Sequence, residues 1–368
     1  MSPTIDDLTI DPHTWWHRLR ANGPVAWVDA LDGWVVLSRE LCTAVMRDAV
    51  RFTVDDPRFA TALVVGPSML SLDGPEHTRH REPFAHGLRP SDVARDHAPW
   101  MAGAAAGLVA TLSPGAELRT ELAGPWSVAV MIRVLGLDPS RVSGSQLLGW
   151  YRAIVAATEA ACAGVPVSAP ALDAMASLAA AAGIPPFVGP HRLSATEIAS
   201  NTAVFLFGGI ETTEAMIANA LWYLLTVPDV LDAVRRDRRL LDAVLDESLR
   251  LEPAATRVDR YATVDVELAG AHIRRGDLVM VNLAAAGRDP AVFGDPHRFD
   301  LGRVNTNRHV AFATGPHACI GMHLARTEAV VAIGALLDAH PGLSLDPTGS
   351  DAPTGLVFRK PARLTARW

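Results

Sequence analysis

FATGPHACIGMHLAR, residues 312–326, places one cysteine, two histidines and three glycine or proline residues directly ahead of an apolar run. Leu324, Val330, Ile333, Leu336 and Leu337 recur at helical spacing, which predicts a helix over about residues 322–337. Cys319 therefore stands just before a helix N-terminus. Unpaired backbone N–H groups and the positive end of the dipole favour thiolate there, the form that binds metals or attacks electrophiles. A buried structural thiol is the plain alternative, because free cysteine is among the most buried residue types.

The chain around this run has 368 residues, 49% of them hydrophobic, and a formal charge of −7, the composition of an ordinary globular protein. Nothing in it suggests nucleic acid. The start MSPTIDDLTID lacks a basic stretch followed by an apolar one, so no secretory leader is expected. The most apolar stretches, near residues 100–112 and 172–184, are short and Ala-rich, so no membrane anchor is expected. Three scattered cysteines, Cys42, Cys162 and Cys319, fit a reducing cytoplasm rather than a disulfide framework.

Residues 24–37, PVAWVDALDGWVVL, read as a β-hairpin around Asp32-Gly33, and Ser38 as the cap of a following helix. Residues 92–251 are mostly helical in pattern, and strand signals return at residues 264–268 and 278–282. These signals predict a mainly α, α+β chain: one domain over 1–368, with a β-rich part near 20–70, late strands near 254–285, and small sheets at its two ends.

Cys319 then has three chemical uses. Zinc could draw on His309, His317 and His323, but the run has no Cys-x-x-Cys knuckle. A nucleophile would need His317, two residues away, to fold back as its base. Haem needs only one axial thiolate in a dry loop, with cations elsewhere for the propionates.

Phe312, Gly315, His317, Cys319 and Gly321 fall on F-x-x-G-x-H-x-C-x-G, followed by Leu324-Ala325-Arg326, and this run resembles the haem loop of the cytochrome P-450 family. The resemblance implies haem b with Cys319 as axial ligand, Phe312, Gly321 and Ala325 against it, and His317 on a propionate. Ala313 departs from the pattern, which more often has glycine there.

Further motifs occur in family order. FLFGGIETTEAM, residues 205–216, sets Gly208-Gly209 and Glu211-Thr212 inside an apolar helix. Close helix packing is the bland reading of the glycines. The resemblance implies that they open the helix to dioxygen, with Thr212 and Glu211 delivering protons. Glu247 and Arg250 match E-x-x-R, and Arg298 of PHRF is the expected third member of a buried triad with a folding role. His77 and Arg81, four apart on one helical face, and Arg260 match the propionate ligands. Val204, Phe207, Gly208, Ala254, Ala255, Thr256, Arg257 and the loop near residues 63–70 are the candidate substrate pocket. Arg257 is open to two readings, a propionate or surface contact and a clamp for a substrate carboxylate. The short, Ala-rich stretch 151–195 implies trimmed lid helices.

By this resemblance the protein is a haem-thiolate monooxygenase inserting one atom of dioxygen into an apolar small molecule. No flavin, nicotinamide or iron-sulfur fingerprint follows the loop, so electrons from NAD(P)H are expected through a separate ferredoxin or flavodoxin and its reductase. Arg79, Arg81, Arg89, Arg308, His323 and Arg326 are the expected docking patch, and a cytoplasmic monomer the expected state. A peroxide-driven haem-thiolate oxidase and a non-catalytic haem binder are the alternatives.

Overall fold

Ser38 caps a helix as expected: its hydroxyl accepts from the Leu41 N–H, and Arg39–Arg47 follows with Cys42, Val45 and Met46 buried on one face. The computed structural model describes residues 2–368 apart from 139, 141, 163, 164, 183 and 191. The side chains of 159, 162 and 182, among them Cys162, also lie outside the described residues.

The hairpin pairs β1 (Val25–Val28) with β2 (Gly33–Val36) and turns through Asp32 at φ +46°. With β3 (Phe52–Thr53), β4 (Arg257–Ala262), β5 (Val266–Leu268), β6 (Ala271–Ile273) and β7 (Leu278–Asn282) named, the main sheet has the order β1-β2-β7-β4-β3. β2 and β7 run parallel, with Val35 opposite Met280 and Val36 opposite Val281. The expectation of separate sheets at the two ends is therefore corrected. An isolated hairpin is marginal in water, and the apolar edge of β2 finds its partner about 240 residues away. β5 pairs only with β6; β8 (Ser344–Ser350) pairs with β11 (Leu364–Arg367), and β9 (Pro353–Thr354) with β10 (Lys360–Pro361).

The central helix, Ala195–Thr226, opens on a capping box between Ser194 and Glu197 and is buried on most of its circumference. Around it pack Gly124–Val134, Ala169–Ala182, Leu241–Leu251 and Met322–Ala339. Met322–Ala339 with its preceding turn is long and apolar enough to cross a bilayer, yet Leu324, Ala329, Ala332, Ile333 and Leu336 are buried in the core. The lid is less trimmed than its composition implies. Gly144–Cys162 and Ala169–Ala182 are both helical, and the Pro-rich break is confined to the segment just before Ser194.

Two features position the cysteine loop. Glu247 and Arg250, both fully buried, pair through two contacts of 2.7 Å, and Arg250 also donates to the carbonyls of Gly287, Pro296 and Arg298. The third cation is not Arg298, which is exposed and offers only its carbonyl. Arg303, 6% exposed, donates from Nε to Glu247 Oε1 at 2.9 Å. Four residues of loop separate the two arginines, and the turn at 300–303 brings only the second inward. In the cysteine loop, Gly315 adopts φ +76°, and a Cβ there would fall 2.5 Å from the Met46 carbonyl of helix Arg39–Arg47. Ala313, at φ +56°, holds a left-handed conformation without the freedom of glycine.

Arg303→Ala should destabilise the protein by about 3 kcal/mol, because it leaves part of a buried ion pair unmatched, whereas Arg298→Ala should cost less than about 0.5 kcal/mol. Denaturant unfolding of the two variants checks the assignment; equal losses would return Arg298 to the triad. Ala313→Gly should relieve left-handed strain and raise stability by up to about 1 kcal/mol in the same assay.

Candidate functional site

Cys319 closes the loop by donating its N–H to the Phe312 carbonyl at 2.8 Å. Its thiol is exposed, yet protein crowds it closely enough that burial pushes the pKa up, against the opposing pull of the Gly321 N–H and Arg81. A sulfur that a ligand can reach but water solvates poorly lies on the wall of a recess, and a metal cation would displace its proton.

Arg81 and His77 reach this recess from helix Gly74–Ala85. Arg81 donates to the Ala318 carbonyl at 2.5 Å; burial lowers its pKa while Cys319 raises it. His77 is buried, and its Nε2 has no hydrogen-bond partner. Burial first, then the neighbouring His317 and Arg81, push its pKa down to about 4, so His77 is neutral. The His317 ring lies 4.4 Å from it, centroid to centroid.

His317, expected on a propionate, is engaged by a carboxylate of the chain itself. Its Nε2 bonds Asp73 Oδ1 at 2.8 Å. Asp73 Oδ2 also accepts from Thr53 Oγ1 at 2.6 Å and the Val54 N–H at 2.9 Å. Burial would raise the Asp73 pKa, but hydrogen bonds from His317, Thr53 and Val54 outweigh it and hold the carboxyl at about 2. Asp73 escapes sequence reasoning because DGPEH reads only as a helix start.

On β4, alternation puts Arg260 on the face it shares with Val258 and Val279. Arg260 is buried; Nη1 donates to its neighbour's carbonyl, Nη2 has no partner, and Asp73 is its first-ranking source of electrostatic support. Arg257 lies on the opposite face with Asp259, at 3.4 Å and without hydrogen-bond geometry. It does not converge with Arg260, and its Nε and Nη1 are likewise buried without a hydrogen-bond partner.

Haem b fits this donor set. Unmatched buried donors are costly, and His77 Nε2 and Arg260 Nη2 are two such groups, linked through Asp73 and His317 to Arg81 and the Cys319 loop. Two propionates are the partners these donors lack, and an iron is the partner Cys319 lacks. Zinc fits worse: among the described residues no cluster of three His, Cys, Asp or Glu side chains has metal-binding spacing.

The two glycines of the central helix divide their roles. A Cβ on Gly208 would meet nothing, whereas one on Gly209 would collide with the Met131 sulfur of helix Gly124–Val134. Only Gly208 opens onto free space; Gly209 is a packing glycine, which corrects half of the expectation. The Thr212 hydroxyl donates to the Gly208 carbonyl. Glu211 takes hydrogen bonds from the Tyr151 hydroxyl and an ion pair from Lys360 Nζ at 2.7 Å. Lys360 also pairs with Glu214 at 3.0 Å, and Glu214 with Arg119 at 3.1 Å. These groups line a cavity of about 300 Å³. Tyr151 and Lys360 carry no local motif and come from distant segments, so the sequence alone does not single them out; Glu214 sits three residues after Glu211 in the same run.

Of the other pocket candidates, Val204 and Phe207 are part-buried and Ala254 is buried. The Thr256 hydroxyl is already used on the Leu356 carbonyl at 2.7 Å. Phe358, which sequence reasoning missed, stacks edge-on with Phe207 at 5.5 Å and bridges to Ala255.

Comparison with known proteins agrees with this geometry. The family model for cytochrome P450 matches residues 186–340. Cytochrome P450 monooxygenase PikC of Streptomyces venezuelae is 34% identical, over 92% of this chain and 86% of its own. Nocardicin C N-oxygenase of Nocardia uniformis subsp. tsuyamanensis is 31% identical over 100% of this chain and 98% of its own. The solved structure of the P450 monooxygenase TamI superposes with a TM-score of 0.82 at 31% identity, over 100% of this chain and 94% of that one. With its relatives matching nearly end to end, the chain belongs to the cytochrome P450 family and is an enzyme of the monooxygenase class.

Proposed function

We propose that the protein hydroxylates or otherwise oxidises an apolar small molecule of specialised metabolism, with Cys319 as the axial ligand of haem b and His77, Arg81 and Arg260 holding the propionates. The single observation carrying the site assignment is the pair of orphaned buried donors, His77 Nε2 and Arg260 Nη2, joined by contacts to the Cys319 loop. Relatives named for nocardicin C and for 20-oxo-5-O-mycaminosyltylactone support the substrate class.

When bound, haem b supplies an iron at which dioxygen is reduced by two electrons and two protons, one oxygen atom going to substrate and the other to water. The Phe312 and Gly321 backbone fixes the direction of the Cys319 sulfur. Gly208 leaves room beside the central helix, and Thr212, one turn on, presents the nearest hydroxyl to that space. Glu211 faces a polar cavity through Tyr151 and Lys360, so protons reach Thr212 through a carboxylate held between a phenol and an ammonium.

Electrons come from NAD(P)H through a separate ferredoxin or flavodoxin in the cytoplasm. The docking patch implied by the sequence is narrowed by pairing: Arg79 is neutralised by Glu76 and Glu197, Arg326 by Asp246, and Arg81 turns inward to Ala318. Arg39, Arg47 and Arg308 instead cluster where the cysteine loop packs on helix Arg39–Arg47; burial and then the like charges of Arg308 and Arg47 push the Arg39 pKa down. An acidic partner would relieve that repulsion.

The first test is the absorption spectrum of the dithionite-reduced protein under carbon monoxide. A strongly red-shifted Soret band that vanishes in Cys319→Ser is the expected result; a colourless protein, with haem supplied during expression, overturns the assignment. Product formed as fast from hydrogen peroxide alone as from electrons and dioxygen would favour the peroxide-driven alternative.

Glu211→Gln should slow product formation about 100-fold while leaving the carbon monoxide band intact. Lys360→Met removes the cation that holds the Glu211 carboxylate at 2.7 Å and should likewise slow product formation, by about tenfold. Both are measured with a surrogate ferredoxin and reductase, on the compound giving the largest substrate-induced spectral shift in a screen. An unchanged rate in Lys360→Met would detach Lys360 from proton delivery.

A further inference from the structure

A second buried polar cluster lies at the start of the central helix and takes no part in the mechanism above. Asn201, fully buried, accepts the Met69 N–H on Oδ1 at 2.8 Å. That contact fixes which end of the amide is oxygen, so Nδ2 donates to the Glu197 carbonyl at 2.7 Å and to His80 Nδ1 at 3.0 Å. His80, 1% exposed, must then carry its proton on Nε2, which points to Glu197 Oε1 at 3.3 Å. Arg79 Nη2 also approaches Nε2, at 3.1 Å, but two donors cannot bond each other, so Arg79 is satisfied by Glu197 and Glu76. Two residues that bring no charge to haem thus join helix Gly74–Ala85, the central helix and the loop 66–71.

The position of this cluster gives it a consequence. Asn201, Gly208 and Thr212 are separated by nearly whole helical turns, so they share one face of the central helix. Gly208 is where that face opens onto free space. The loop also approaches the central helix at the residue before Asn201, since Gly66, at φ +81°, brings its backbone close enough that a Cβ would lie 3.2 Å from Ser200 Oγ. Four residues beyond Met69, Asp73 holds His317 of the cysteine loop. The loop cannot shift against the central helix without breaking the Met69–Asn201 bond.

We propose that Asn201 and His80 are positioning residues that clamp the loop 66–71 against the central helix and thereby set the size of ligand admitted to the space in front of Gly208. The inference rests on the haem reading above for what lies across that space. Its substrate-independent probes are imidazole and 4-phenylimidazole, titrated against the ferric protein and read by the Soret shift, together with hydrogen exchange of the Met69 amide.

Asn201→Leu removes both the acceptor for Met69 and the donor to His80. Met69 should then exchange at least about tenfold faster, the ratio of the two azole affinities should change by at least about fivefold, and the carbon monoxide band should stay in place. Asn201→Asp keeps the Oδ1 acceptor for Met69, and His80 can answer by moving its proton to Nδ1, but the second oxygen now meets the Glu197 carbonyl, so both readouts should fall between wild type and Asn201→Leu. The proposal is overturned if Asn201→Leu leaves Met69 exchange unchanged, if exchange speeds up while the azole ratio stays within about twofold, or if Asn201→Asp behaves as Asn201→Leu. Should Asn201→Leu take up no haem, His80→Leu carries the azole comparison, and a ratio equal to wild type then refutes the clamp. A wild-type protein without a thiolate band would sink the haem reading alone, and the exchange result would still stand.

Discussion

The position of the cysteine depends on one part-buried carboxylate. Asp73 receives a hydroxyl from β3, a backbone N–H beside it and the imidazole of His317, and it faces the guanidinium of Arg260. It thus ties the main sheet, the start of helix Gly74–Ala85 and the cysteine loop to one point. Its pKa falls from 3.8 to about 2, a preference of about 2 kcal/mol for the ionised, hydrogen-bonded form. Because the folded value lies below the unfolded one, this stabilisation is complete above about pH 4 and is lost only as pH falls through about 2. Across neutral pH the anchor is constant, and the loop geometry inherits that constancy.

Much of the fold and the reactive thiol were legible in the sequence because the signals are local. The Ser38 cap, the hairpin, the strand at 278–282 and the helix after Cys319 each follow from a few neighbouring residues. What misled or stayed silent was long-range. The parallel pairing of β2 with β7 leaves no mark on either segment. Arg298 and Arg303 are equivalent in composition, and only the turn between them decides which cation reaches Glu247. His317 sits where the motif implies a propionate contact, and the carboxylate that binds it is 244 residues away.

The cations grouped around Asp73 and the cysteine loop also bear on folding. Arg81 and Arg260 both have their pKa pushed down by burial, and neither has a carboxylate in hydrogen-bond contact among the described residues. Natural cores seldom keep such groups without a counter-ion. Glu252 shows the opposite solution: it is ringed by His13, Arg288 and Arg359, and these partners hold its pKa at about 2 despite burial. One cluster completes itself from the chain; the other is built for an anionic partner. A prosthetic group carrying two carboxylates would therefore contribute to folding as well as to chemistry.

The central helix shows how one element serves packing and chemistry together. Two adjacent glycines in a helix interior cost roughly 1 kcal/mol each relative to alanine. Gly209 offsets that cost by admitting Met131, so its contribution is to the core. Gly208 has no neighbour to gain, and its cost is matched by nothing in the packing. Thr212 bonds back to that same Gly208 carbonyl, so the hydroxyl is held at the position where the helix gives up a side chain. A sequence under selection for stability alone would fill that space. The helix instead leaves an opening at Gly208 beside the Thr212 hydroxyl, and the polar groups around Glu211 line a cavity of their own.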